Sequence, residues 1–210
     1  MLGIHDLALF VVAGLLLNVS PGPDTLYIAG RSATQGMRAG VVAALGIAAG
    51  CFVHIAAAAI GLSALILASA NAFLVLKIAG AAYLLYVGAT LLLTRTAPAR
   101  AAPKLTPAPL RTIFLQGCLT NALNPKVALF FLAFLPQFIG TDAPNKPLAF
   151  LVLGMIFNVN GTFWNLFVAW SANRLAGGLA RNARVAAWMN RTVGAFFVAM
   201  GVRLALFERG

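Results

Sequence analysis

The chain has 210 residues, of which 61% are hydrophobic and 9% are charged, whereas soluble domains usually carry about 25% charged residues. This composition excludes a soluble globular domain, and the high hydrophobicity excludes an intrinsically disordered chain. The net charge of +11 does not indicate a nucleic-acid partner, because the basic residues fall between apolar segments, as the loops of a membrane protein require.

Six apolar segments are long enough to cross a bilayer, since a helical span needs about 20 residues. In chain order they cover residues 5–30, 39–66, 71–94, 112–139, 147–171 and 188–207. The first basic residue, Arg31, lies beyond the first segment, so this segment is expected to be retained as a span and not removed as a signal peptide. The sequence therefore predicts an all-α integral membrane protein, with one membrane domain over residues 1–210.

Most lysines and arginines fall in the loops after the first, third and fifth segments. They are Arg31, Arg38, Arg95, Arg100, Lys104, Arg111, Arg174, Arg181, Arg184 and Arg191. The positive-inside rule places these loops, including the proline-rich linker 95–111, in the cytoplasm and both chain ends outside. The basic stretch 172–187 fits either an interfacial helix or an ordinary cytoplasmic loop.

The first segment is interrupted by N-V-S-P-G-P-D-T at residues 18–25. Pro21 and Pro23 have no backbone N–H, so they free the carbonyls of Leu17 and Val19. Inside a bilayer, such backbone survives only where protein or a cavity satisfies it. Pro21 lies roughly 22 Å along the helix at 1.5 Å per residue, so the break is predicted near the middle of the membrane.

The fourth segment carries a matching motif, T-N-A-L-N-P-K at residues 120–126, in which Pro125 frees the carbonyl of Asn121. Ser20 and Pro21 align with Asn124 and Pro125 at an offset of 104. The halves 1–98 and 112–210, joined by the linker 95–111, each hold three segments. Because three is odd, the second half enters from the opposite side. The sequence thus predicts a 3+3 inverted repeat with helices 1 and 4 broken, which is typical of secondary transporters.

The two breaks supply the residues that are predicted to bind substrate and protons. They are Asn18, Ser20, Pro21, Gly22, Pro23, Asp24, Asn121, Asn124, Pro125 and Lys126. Asp24 lies at intramembrane depth, where an ionised side chain is costly and is a functional hypothesis by default. It binds a substrate ammonium, carries the proton, or forms a structural ion pair with Lys126. Lys126 is also a candidate ligand for a substrate carboxylate.

Secondary candidates lie elsewhere in the apolar segments: His54, Tyr83, Tyr86, Asn158, Thr162 and Asn165. His54 is either a proton relay or a hydrogen-bonded packing residue. The two tyrosines of the third segment are expected to point inward. The polar residues of the fifth segment recur at i, i+4 and i+7, so they share a face that meets either the cavity or another helix. Gly46 and Gly50 allow close helix approach, within the fold or between protomers.

Several motifs occur together in this chain: N-V-S-P-G-P-D at 18–24, G-M-R-A-G at 36–40, A-G-A-A-Y-L-L-Y-V-G at 79–88, N-A-L-N-P-K at 121–126 and F-L-P-Q-F at 134–138. The combination resembles the LysE/RhtB family of bacterial amino-acid exporters. This resemblance implies a multi-pass transporter of the bacterial inner membrane that exports an amino acid, with protons as coupling ion. It implies membrane lipid but no nucleic acid as a partner, and leaves a homodimer open.

Two other functions compete with export. A passive channel needs rings of pore-lining residues and oligomeric symmetry, whereas an inverted repeat favours alternating access. A small intramembrane enzyme needs a nucleophile with its base, or a metal set. The sequence has no HExxH, GxSxG or P-loop motif. No catalytic residue, metal ligand or cofactor is therefore predicted.

Overall fold

The computed structural model describes residues 2–64, 70–93, 105–140, 142–175 and 183–206. Within these ranges the secondary structure is helical, apart from an isolated bridge between Ile4 and Ile139. The helices are α1 (Leu7–Val19), α2 (Pro23–Gln35), α3 (Met37–Ala57), α4 (Ala70–Leu93), α5 (Leu110–Ala122), α6 (Pro125–Ala133), α7 (Lys146–Leu175) and α8 (Ala183–Leu206). A π-helical turn, Ala58–Leu62, extends α3, and a 3-10 turn, Leu135–Phe138, follows α6. The all-α prediction is confirmed.

The described helices give two to four candidate membrane spans. Met37–Leu62 and Lys146–Arg174 are each long and apolar enough to cross a membrane alone. Leu7–Val19 with Pro23–Gln35, bent by 53°, and Leu110–Ala122 with Pro125–Phe138, bent by 45°, qualify as broken spans. α4 and α8 contain shorter apolar stretches. The chain is a multi-pass membrane protein, and both proline motifs interrupt helices as predicted.

The first segment was expected to end at residue 30 and to place Arg31 in a loop, and this is wrong. α2 continues to Gln35, and Arg31 is only 5% exposed. The Arg31 guanidinium donates to Gln35 Oε1 and the Thr106 carbonyl, each at 2.9 Å, and to Gln116 Oε1 at 2.7 Å. The polar end of α2 is helical because the chain at 105–109 and helix α5 cover it, and composition alone does not distinguish such a helix from a loop.

Other loop boundaries shift for the same reason. Arg38 lies in the first turn of α3, and Gly36, at φ 82°, is the residue between α2 and α3. Such a left-handed backbone suits glycine, which has no Cβ to clash. Arg111 lies at the second position of α5, so it is not part of the linker. Residues 94–104 of the linker region lie outside the described residues.

The basic stretch 172–187 is divided between two long helices. α7 runs to Leu175 and α8 begins at Ala183, while residues 176–182 lie outside the described residues. Trp188 and Arg191 therefore belong to α8. For the described parts of this stretch, neither a separate interfacial helix nor a loop is correct, because the helices extend past the apolar segments that predict them.

Helices α3 and α7 hold the two broken helices together. They contact each other, α3 also contacts α2, α5 and α6, and α7 also contacts α1 and α2. A large apolar cluster fills the space around α1, α6 and α7, with Phe10, Phe130 and Phe157 stacked or tilted against one another. A smaller cluster, which includes Ile28 and Ile113, joins α2, α3, α5 and α7. This arrangement brings the two breaks face to face.

The glycine pair of α3 is used within the fold. A Cβ on Gly46 would lie 2.3 Å from the Phe114 carbonyl oxygen, and a Cβ on Gly50 would lie 2.3 Å from the Cys118 carbonyl oxygen. Both distances are too short for any side chain, so α3 and α5 meet backbone to backbone. The small-xxx-small pattern therefore serves the contact between the second segment and the fourth.

Candidate functional site

The two breaks enclose a cavity of about 30 Å³ between α1, α2, α3, α5, α6 and α7. It is lined by many of the residues that the proline motifs and the fifth segment predict: Asn18, Gly22, Asp24, Asn121, Asn124, Lys126, Asn158 and Asn165. The prolines 21, 23 and 125 and the backbone of Ser20 shape the breaks without lining the cavity. The motifs are thus brought together across 97 or more residues of sequence.

The first break lies between α1 and α2. α1 ends at Val19, Gly22 is extended, and α2 begins at Pro23. The Lys126 ammonium donates to the Leu17 carbonyl at 2.8 Å and to the Ser20 carbonyl at 2.7 Å. The carbonyl that Pro21 leaves free is therefore satisfied by a cation from α6. This contact lies at the C-terminus of α1, where the helix dipole is negative.

The second break lies between α5 and α6 and is satisfied largely by its own residues. Asn124 Oδ1 accepts the backbone N–H of Lys126 at 3.0 Å and so caps the N-terminus of α6. The Asn124 N–H donates to the Asn121 carbonyl at 2.8 Å. The same carbonyl lies 2.9 Å from His54 Nε2. Because a carbonyl only accepts, this contact requires the hydrogen on Nε2.

Asp24 lies in the first turn of α2, where the N-terminus of the helix favours a negative charge. Its Oδ2 accepts from Asn121 Nδ2 at 2.8 Å. Its other oxygen, Oδ1, is buried with no hydrogen-bond partner in the described residues. Lys126 shares the cavity with Asp24 but donates to the carbonyls of α1, and the two charged groups form no ion pair in the described structure.

Four buried polar atoms at the cavity have no protein partner among the described residues. Two are acceptors, Asp24 Oδ1 and Asn121 Oδ1, and two are donors, Asn18 Nδ2 and Asn124 Nδ2. Buried polar groups are normally hydrogen-bonded, and leaving one unsatisfied costs about 1–3 kcal/mol. The cavity thus presents an unpaired set of donors and acceptors that a small polar ligand can complete.

The remaining wall of the cavity is apolar and was not predicted. It is formed mainly by Leu17, Ile47, Cys51, Val127 and Phe157. In a chain that is 61% hydrophobic, no sequence signal separates an apolar residue facing a cavity from one facing lipid. A glycine was also missed, since a Cβ on Gly161 would lie 3.0 Å from Asn18 Oδ1. Gly161 leaves the room that the Asn18 amide requires.

The secondary candidates divide into three groups. Asn158 and Asn165 line the cavity, whereas Thr162 donates to the carbonyl of Asn158 within α7. His54 does not line the cavity but is bonded to the second break beside Phe131. Tyr83 and Tyr86 lie on α4, and the structure does not bring them to the cavity; the side chain of Tyr86 is 68% exposed.

Comparison with known proteins assigns the chain to a family. The family model described as LysE type translocator matches residues 15–207. The chain belongs to the LysE type translocator family. It is therefore a transporter and not an enzyme. The match begins within α1 and ends after α8, so it includes both breaks and every residue that lines the cavity.

Individual relatives match over nearly their whole length. An uncharacterized membrane protein of Pseudomonas aeruginosa is 34% identical over 209 residues, covering 97% of this chain and 96% of the relative. A leucine efflux protein of Salmonella typhimurium is 29% identical over 207 residues, covering 98% and 97%. A leucine efflux protein of an Enterobacter strain is 28% identical over 203 residues, covering 97% and 96%. No solved structure matches the chain significantly.

Proposed function

We propose that this LysE-type translocator exports amino acids with apolar side chains across the bacterial inner membrane, by proton-coupled alternating access. The observation that carries the proposal is the set of unpaired donors and acceptors in a cavity between two broken helices. The leucine efflux proteins among its relatives support the substrate class.

The polar side of the cavity suits the zwitterionic end of an amino acid. A substrate ammonium finds acceptors in Asp24 Oδ1 and Asn121 Oδ1, and a carboxylate finds donors in the amides of Asn18 and Asn124. The positive charge of Lys126 in the same cavity offsets that of the carboxylate. Bonds to charged groups contribute about 1.5–3 kcal/mol each, so this arrangement favours a molecule that carries both groups.

The apolar side of the cavity suits an aliphatic side chain. Leu17, Ile47, Val127 and Phe157 are each at most 4% exposed and line the same cavity as the polar atoms. Transfer of a leucine-sized side chain from water into such surroundings contributes about 1.5–3 kcal/mol. The cavity therefore favours leucine and similar amino acids over small polar ones.

The helix contacts support the 3+3 inverted repeat of the halves 1–98 and 112–210. In such a repeat, α3 corresponds to α7 and α4 to α8, and each of these pairs is in mutual contact. His54 and Asn158 differ by the same offset of 104 that relates the proline motifs. Each bonds a backbone carbonyl of another helix, His54 that of Asn121 and Asn158 that of Ala48. We infer six spans, with α4 and α8 as the third and sixth.

The size of the cavity supports alternating access. A volume of about 30 Å³ is only two to three times the roughly 10–15 Å³ that one water requires. A leucine side chain needs several times this volume, so substrate binding requires the broken helices to separate from α3 or α7. A closed site that must open by helix movement to accept its substrate is the expected behaviour of a secondary transporter.

Asp24 is the residue that couples export to protons in this proposal. Its free oxygen binds either a proton or the substrate ammonium, so the two ligands compete for one carboxylate. Competition for a single site couples their flows in opposite directions, because each must leave before the other binds. His54, one helix away, holds the backbone of the second break and is the candidate relay for the proton.

An efflux assay tests this proposal. Cells that express the protein are loaded with leucine-containing dipeptides, and the appearance of leucine outside is measured against cells with an empty vector. We expect the protein to raise leucine efflux, Asp24→Asn to reduce it to the background, and Asp142→Asn, at an exposed carboxylate, to leave it unchanged. Normal efflux in the Asp24→Asn variant would remove Asp24 from the mechanism.

Proteoliposomes separate a proton-coupled exporter from a passive channel. An imposed pH difference is expected to drive leucine to a higher concentration on one side of the membrane in the parent protein. A channel would only equalise the two concentrations, and that result would overturn coupling while leaving the substrate class intact.

A further inference from the structure

We propose that Lys126 sets the charge selectivity of the transporter and excludes amino acids with cationic side chains, an inference that rests on the proposed export of amino acids. Its ammonium occupies the place in the cavity where a second substrate cation would bind. Three features of the molecule support this role: the carbonyls of the first break, the glycine beside the lysine and the charge balance of the cavity.

The C-terminus of α1 is a binding position for a cation. Pro21 leaves the Leu17 carbonyl without its helical N–H, and the Ser20 carbonyl points from the extended chain. The ammonium of Lys126 lies 2.8 and 2.7 Å from these two oxygens. A primary ammonium from any source suits the same position, because the helix C-terminus carries partial negative charge.

The surrounding residues hold the lysine in this position. Lys126 lies in the first turn of α6, just after the Asn124 cap, so its backbone is fixed. A Cβ on Gly22 would lie 3.3 Å from Lys126 Nζ, 3.8 Å from Cε and 3.9 Å from Cδ. Gly22 thus packs directly against the end of the lysine side chain, with little room for a larger residue beside Nζ. The motif of the first half and the lysine of the second half fit each other.

Charge balance then determines which substrates are accepted. Asp24 and Lys126 together give the cavity no net charge, and an amino acid with an uncharged side chain also has no net charge. A lysine-like substrate would add a second ammonium within the low-dielectric cavity that already contains Lys126. Without Lys126, the cavity would carry the single negative charge of Asp24 and would offer two free carbonyls, which together suit that second ammonium.

Substitution of Lys126 tests the inference through the ratio of two efflux rates. Leucine and lysine efflux are measured separately from cells loaded with the corresponding dipeptides. The parent protein is expected to export leucine in preference to lysine. In Lys126→Gln and Lys126→Ala the leucine-to-lysine ratio should fall by about tenfold or more, the change that the loss of one charge-assisted contact produces. Lys126→Arg keeps the positive charge and should keep the preference for leucine.

Binding of a small cation to the purified protein tests the inference even if the variants transport poorly. Purified Lys126→Ala leaves space and two carbonyls for a small cation, so ethylammonium chloride should raise its Tm, while sodium chloride at equal concentration should not. The parent protein, in which Lys126 fills the position, should show no such difference between the two salts. A transporting variant with an unchanged leucine-to-lysine ratio, or equal responses to ethylammonium in both proteins, would overturn the inference. Failure of the parent to export any amino acid would instead overturn the proposed function.

Discussion

Both breaks are caused by prolines, but the backbone groups at the two breaks find different hydrogen-bond partners. At the second break, the cap of α6 is Asn124, two residues from the N–H that it accepts, and the freed carbonyl is held by His54 of the adjacent α3. At the first break, the freed carbonyls of Leu17 and Ser20 have no local donor and receive the ammonium of Lys126 from α6. The second break therefore has a cap of its own and one donor from α3 of the other half. The two carbonyls of the first break depend on Lys126 of the other half.

This difference affects how the two broken helices can move. α5 and α6 carry their own cap at Asn124, so movement of these two helices together leaves the N-terminus of α6 capped. α1 can separate from α6 only if Lys126 moves with it or finds another partner, because unpaired carbonyls are costly inside a membrane. The contact from Lys126 to α1 is accordingly the link whose strength should affect both stability and transport.

The largest expected effect comes from Lys126→Met, which removes the donor to two buried carbonyls and leaves Asp24 without a nearby cation. Unfolding in mixed detergent micelles should show a loss of about 2–4 kcal/mol, since bonds to charged groups contribute about 1.5–3 kcal/mol each. Arg174→Met, at the exposed end of α7, serves as the control and should change stability by no more than about 0.5 kcal/mol. Equal losses in both variants would contradict the dependence of the first break on α6.

A double variant should show that the two charges of the cavity are coupled. Lys126→Met alone leaves the carboxylate of Asp24 uncompensated, and Asp24→Asn removes that charge. We expect the double variant to be about 1–2 kcal/mol more stable than the sum of the two single losses predicts, as for neighbouring charged groups. Simple additivity would mean that the charges do not interact across the cavity, although both residues line it.

Removal of the histidine at the second break should have a moderate effect. His54→Leu deletes one donor to the Asn121 carbonyl, which keeps the N–H of Asn124 as its partner. The expected loss is about 1 kcal/mol, and His54→Gln, which retains a donor, should recover part of it. Efflux and stability are measured on the same variants to distinguish a proton relay from a packing residue. If His54 is a relay, His54→Gln should lose proton coupling while it remains stable. If His54 only packs, the stable variant should keep its coupling.

The smallest expected effect is that of the local cap. Asn124→Ala removes the side chain that accepts the Lys126 N–H and should lower the free energy of unfolding by about 1 kcal/mol or less. Asn124→Ser keeps an N-cap and should lower it by only a few tenths of this amount. The variant is compared with Lys126→Met in the same micelles. If Asn124→Ala were more destabilising than Lys126→Met, the local cap of the second break would matter more than the contact of Lys126 with the first break. That result would contradict the difference between the two breaks.

The sequence predicts the breaks well because proline acts locally. A continuous helix cannot run through Pro21, Pro23 and Pro125, which lack the N–H that it requires, so new helices begin at Pro23 and Pro125. The carbonyls that are freed follow from the spacing. The predicted convergence of the two motifs is also reproduced, since Asp24 and Asn121 are hydrogen-bonded across the breaks. The first result depends on backbone chemistry alone, whereas the second depends on the tertiary packing that brings Asp24 and Asn121 together.

The sequence does not predict features that depend on which residues lie next to each other in the folded chain. The polar stretch at Arg31 forms a helix because residues 105–109 cover it, and nothing in its own composition indicates this cover. The apolar wall at Ile47 and Phe157 has the same composition as lipid-facing surface. The alternative ion pair of Lys126 with Asp24 is not formed, and the lysine instead donates to carbonyls at the end of α1, more than 100 residues away in the sequence.

The distance between the first break and its cap also has a consequence for biosynthesis. Lys126 follows the carbonyls that it caps by 109 and 106 residues. At 5–20 residues per second, translation of that interval takes roughly 5 to 20 s. During this time the Leu17 and Ser20 carbonyls lack the donor that they have in the folded protein, because Lys126 has not yet been synthesised. The second break carries its cap from the start, so maturation of the nascent chain is expected to proceed from the second half toward the first.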